Sequence, residues 1–108
     1  MVKQGDIIFI NLDPSLGHEQ KKSRPALVVS NTKYNKHCNG MVIICPISHS
    51  KNNFPLHVTL PEGLKTDGKV LCEHVRSVDL NARRYRIIES VNDDFLQLII
   101  SYIKAEIN

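Results

Sequence analysis

The sequence predicts a mainly β fold finished by one helix, a strongly twisted antiparallel sheet or small open barrel with short helical insertions. Three observations carry that expectation. Short apolar runs recur along the chain, each stopped by Pro, Gly, Asn or Asp. The connections between them are long and polar, and only the segment after Asn92 repeats its apolar residues at helical spacing.

Residues 7–12 form the first strand, and Asp13-Pro14 with Gly17 supplies the turn chemistry that stops it. The loop that follows is long for a hairpin, the length at which loops usually carry function. Residues 26–30 resume a buried strand. Pro25 drives Arg24 out of the helical region, so its guanidinium is presented from an extended backbone at the strand mouth. Asn31 caps a helical turn over 32–35.

Strands follow at 41–47, interrupted late by Pro46, and at 56–60, broken by Pro61-Glu62-Gly63, with a polar loop over 48–53 between them. Residues 68–72 read as a strand, 76–80 as a continuation through a turn, and 84–91 as the last strand. Asn92 then caps a helix with Asp93 and Asp94 in its first turn, where the helix dipole favours anions. Leu96, Ile99, Ile100, Ile103 and Ile107 make one apolar face. Phe95, Leu98 and Tyr102 make a second stripe, which either packs on the sheet or meets another subunit.

At 108 residues the chain has room for one domain, 1–108, and its 42% apolar content is enough to build a core. Met1-Val2-Lys3-Gln4 runs straight into a strand without a secretory leader, and no apolar run approaches membrane length, so a soluble, cytoplasmic chain is expected. Cys38, Cys45 and Cys72 are odd in number and never spaced C-x-x-C, which argues against a disulfide framework and a structural zinc site. No metal or other cofactor is expected. The net charge of +3 permits a polyanionic partner without demanding one.

Chemistry concentrates in three places. The first is the run from Gly5-Asp6 through Asp13-Pro14 and Gly17-His18-Glu19-Gln20 to Arg24-Pro25. The second is Pro46-Ile47-Ser48 at the end of a strand, and the third is Glu73-His74-Val75-Arg76-Ser77-Val78-Asp79. Taken together and in this order they resemble the MazF/PemK/Kid family of toxin ribonucleases, over nearly the whole chain. Two departures stand out in the third segment. His74 replaces the family's Gln, and Leu71 stands where some members carry an Arg that shares proton transfer with the acid.

The resemblance implies an SH3-like barrel used as a homodimer. It implies a sequence-selective, metal-independent endoribonuclease that cuts single-stranded RNA by 2'-hydroxyl attack. It also implies neutralisation by an acidic, partly disordered antitoxin, with operator DNA reached only through that complex. Two other readings stay open: a toxin of the same fold that inhibits a topoisomerase without catalysis, and a catalytically silent relative that binds RNA or antitoxin.

Cleavage of that kind needs a base for the 2'-hydroxyl proton, cationic stabilisation of the phosphorane and a proton for the leaving 5'-oxygen. Arg24 suits electrostatic stabilisation, because a guanidinium with a pKa above ~12 is a poor acid. Ser48 can donate to a nonbridging oxygen. His18 is the side chain best matched to proton transfer near neutral pH, with Glu19 or Glu73 for the complementary role. With no Trp in the chain, RNA would be held by Gln20, Lys21, Lys22, His49, Lys51 and Arg76, with Arg83, Arg84 and Arg86 as further cations. Plainer readings exist for two of these. Glu19 and Arg24 would pair on a surface loop, and Glu73 and Arg76 would pair across strands.

Overall fold

Residues 6–11 alternate so closely between two buried faces that the strand they form has almost no exposed side. The computed structural model describes residues 1–12, 23–49 and 53–108. Its strands are β1 (Asp6–Asn11), β2 (Ser23–Val28), β3 (Met41–Ser48), β4 (His57–Thr59), β5 (Lys69–Leu71), β6 (Arg76–Asp79) and β7 (Tyr85–Ser90), with helices α1 (Thr32–His37) and α2 (Asp93–Ile107). All pairings are antiparallel, in the order β4-β5-β3-β2-β1-β7, with β6 also on β3. The sheet does not close; β4 and β7 are its ends.

Two apolar clusters occupy opposite faces of this sheet, as strand alternation requires. On one face Ile7, Leu27, Cys45, Ile47, Val70 and Cys72 pack against Phe95 and Ile99 of α2. On the other, Ile8, Ile10, Ala26, Val28, Val42, Ile44 and Val78 are closed over by Leu80 and Val2. Ile7 and Ile8 face opposite sides by ordinary strand alternation, and across from them β7 carries one extra residue, Ile88, between the partners Glu89 and Ile87.

Both expected Asn caps are present. Asn31 and Asn92 accept from the main-chain N–H groups of Tyr34 and Phe95, each at 2.8 Å. The first helix runs on to His37, past the expected 32–35, because Asn35 is buried and bonded to Ser30 beneath it.

Three expectations need correction. β2 begins at Ser23, so Arg24 and Pro25 lie within the strand and not ahead of it. Val28 turns its carbonyl toward Gly5 on the β1 side, so alternation turns the donor that Pro25 lacks toward β3, just short of where the β2–β3 ladder begins. Residues 76–79 form a full strand, since each pairs with β3 from Met41↔Asp79 to Ile44↔Arg76. The helix stripes are divided differently as well. Phe95 is buried beside Leu96 and Ile99, while Leu98 is 42% and Ile107 81% exposed.

Candidate active site

The β2–β3 register brings two of the expected catalytic residues toward each other. Ala26 stands opposite Pro46, and continuing that ladder by two residues sets Arg24 opposite Ser48. Side chains at both positions lie on the face of Ala26, Val28 and Ile44, by period-two alternation. There the apolar floor ends and polar groups begin. Arg24 is exposed and Ser48 half-buried.

On its other side Ser48 is paired with Lys69 of β5, which is paired in turn with Thr59 of β4. Thr59, Lys69 and Ser48 therefore stand in one row across the sheet, and the continued β2–β3 ladder adds Arg24 at its end. The approach of β5 to Ser48 depends on Gly68. Its φ is +122°, and a Cβ there would stand 2.8 Å from the Ser48 carbonyl oxygen. The preceding residue adds a further tie, as His49 Nε2 meets Asp67 Oδ1 at 2.7 Å. That bond holds the Asp67 carboxyl below its ordinary value of 3.8.

Glu73 lies in a 3₁₀ turn, Cys72–His74, after β5. It forms no ion pair with Arg76; its partner is His57, from Nε2 to Oε2 at 2.5 Å, with His74 Nε2 at 3.6 Å from the same oxygen. The plainer reading of a cross-strand pair fails because Arg76 aligns with Ile44 on β3 and is exposed, whereas Glu73 is turned toward β4. Burial pulls the Glu73 carboxyl upward. The His57 hydrogen bond, a main-chain donor and the two imidazoles together outweigh it, leaving the group below its ordinary value of 4.5. Glu106 near the end of α2 is pushed the other way, by burial and then by the Glu73 charge.

Arg76 shares the face of Arg24, yet Ile44 and Ser48 are four residues apart on β3, about 13 Å along the strand. Arg83 and Arg86 are used elsewhere. Arg83 donates to the Asn11 carbonyl at 2.9 Å, and Arg86 lies over the Phe9 ring at 5.3 Å. His18, Glu19, Gln20, Lys21, Lys22 and Lys51 lie outside the described residues. Among the described residues, no three His, Cys, Asp or Glu side chains assemble as a metal site, and no helix is long and apolar enough to cross a membrane.

Sequence reasoning missed Lys69 and His57. Each carried a signal: Lys69 follows a glycine at the start of an apolar strand, and His57 is a lone imidazole in the apolar run 56–60.

Known proteins resemble this chain in sequence and in fold. The endoribonuclease toxin MazF of Escherichia coli (strain K12) is 36% identical over 104 residues, covering 96% of this chain and 88% of that protein. The crystal structure of MazF (Form-I) from Deinococcus radiodurans superposes with a TM-score of 0.84 at 33% identity, over 97% of this chain and 94% of that one. The MazE–MazF structure (Form-II) from the same organism gives 0.84 at 28% identity, over 99% and 95%. Residues 3–106 match the family described as PemK-like, MazF-like toxin of type II toxin-antitoxin system, and the chain belongs to that family.

Proposed function

We propose that this chain is an endoribonuclease toxin that cuts single-stranded RNA without a metal ion, acts as a homodimer in the cytoplasm and is silenced by an acidic antitoxin. The observation that supports the reading is the β2–β3 pairing, which, continued two residues past Ala26↔Pro46, brings exposed Arg24 level with half-buried Ser48. A guanidinium and a hydroxyl so arranged can grip the nonbridging oxygens of one phosphate as negative charge builds on it. The names of its relatives support the reaction class, and the MazE–MazF assembly of a relative supports a dedicated protein partner. Operator DNA enters only through the antitoxin complex.

In the proposed reaction a base takes the 2'-hydroxyl proton, O2' attacks phosphorus, and the P–O5' bond breaks as an acid protonates the leaving oxygen. The products are a 2',3'-cyclic phosphate and a 5'-hydroxyl. Proton transfer is shared among His18, Glu19 and Glu73. The hydrogen bond from His57 holds Glu73 ionised, which supports an accepting role for it. Leu71 supplies no proton, so a mechanism built on an arginine there does not apply.

The test is end-labelled single-stranded RNA incubated with the protein in EDTA. Cleavage with cyclic phosphate ends is the expected result, and duplex RNA should resist. Cleavage that stops in EDTA and returns with magnesium overturns the metal-free part. Intact RNA together with inhibition of a topoisomerase overturns the enzymatic reading.

A further inference from the structure

The row across the sheet holds a second cation, on the far side of Ser48 from Arg24. Val70 is fully buried in the cluster under α2, so its neighbour Lys69 faces the other way, toward the Ser48 side. The segment that carries Lys69 is fastened to Ser48 and His49 residue by residue. Asp67 bonds His49, Gly68 admits the Ser48 carbonyl where any Cβ would collide, and Lys69 stands in register with Ser48. Its half-buried side chain is thus delivered to one place along the row.

Arg24 and Lys69 stand two strands apart, about 9.5 Å. That is too wide for both to grip one phosphate symmetrically. A single-stranded polyanion laid across β2, β3 and β5 meets Arg24 and Ser48 at one phosphate and Lys69 at the next. Lysine suits the second task, since it is a mobile point charge with no planar fork to align.

We propose that Lys69 anchors the phosphate adjoining the one that reacts between Arg24 and Ser48, holding the strand in place across the site. Lys69 is a positioning residue in this scheme, and the inference rests on the RNA-cleaving reading above. It predicts a loss in binding with little change in the chemical step.

The experiment measures binding of fluorescein-labelled single-stranded oligonucleotides with 2'-deoxyribose, which the 2'-hydroxyl mechanism cannot cut, across a range of KCl. In parallel, kcat and KM are measured on RNA. Lys69→Ala should lower the slope of log affinity against log salt by about 0.7, the value for one phosphate contact on a single strand. KM should rise about tenfold, kcat should hold, and Lys69→Arg should restore both slope and KM. Should Lys69→Ala fail to fold, Lys69→Gln keeps most of the stem and removes the charge alone. An unchanged salt slope and KM, or a fall in kcat at constant KM, overturns the anchor while wild-type cleavage keeps the function reading intact. A wild-type protein that neither binds nor cuts overturns both.

Discussion

His57 and Glu73, fixed on β4 and on the turn after β5, share a hydrogen bond of 2.5 Å with little solvent around either side chain. Its pH signature follows from the direction of the Glu73 shift. A carboxyl whose folded pKa lies below 4.5 adds stability at pH values above the unfolded pKa, and that stability is lost as the pH falls through the folded value. Glu73→Gln should therefore cost about 1 to 3 kcal/mol at neutral pH. The gap from wild type in thermal denaturation should shrink as the pH falls through the folded value, where the Glu73 carboxyl takes up its proton.

Arg24 separates function from folding. Arg24→Lys keeps the charge and loses the planar fork; Arg24→Ala loses both. Cleavage should fall in the order wild type, Lys, Ala, with a total loss of roughly 10²- to 10³-fold or more. An exposed arginine contributes about 0 to 1 kcal/mol to stability, so melting should barely move. Ser48→Ala should lose less activity than Arg24→Ala. An Arg24→Ala protein that cleaves normally and melts much earlier would make Arg24 a structural residue.

At Gly68 stability and geometry are joined. Alanine there meets both an unfavourable φ and, through its Cβ, the main-chain carbonyl of Ser48, which cannot yield cheaply. Gly68→Ala should destabilise by about 1 to 3 kcal/mol in denaturant titrations. Cleavage should also fall in the fraction that remains folded, because β5 and Ser48 are spread apart.

On α2 two residues of the one expected apolar face make opposite predictions. Ile99 is fully buried between the sheet and the helix, and Ile99→Ala should cost about 2 to 5 kcal/mol. Ile107, at 81% exposure, should change stability by no more than about 0.5 kcal/mol on truncation. Chemical denaturation of the two variants side by side checks both.

What could be read in the sequence depended on how local the cause was. Asn31 and Asn92 announce their helices because a cap is satisfied within three residues, β1 and β3 announce themselves as short apolar runs, and β7 by alternation. β6 did not, since Arg76–Asp79 becomes a strand only by pairing with β3 far back in the chain. The start of β2 was hidden by Pro25, whose missing donor does no harm where no ladder has yet formed. Arg24 and Ser48 were singled out through the family pattern that surrounds them. Lys69 and His57 were not, because their importance comes from register and from a partner on another element, which no linear motif records.

The core also carries a chemical clock. Cys45 and Cys72 are buried and unbonded, and burial foremost raises both thiols, Cys72 to about 11, so in the folded protein neither reacts readily at neutral pH. Cys38, half-exposed at the end of α1, is the reactive one. An alkylating reagent should therefore take one thiol at once and the other two only when the sheet parts from α2. The rate of that slow modification times the opening of the native fold, with no dye or engineered label added to the chain.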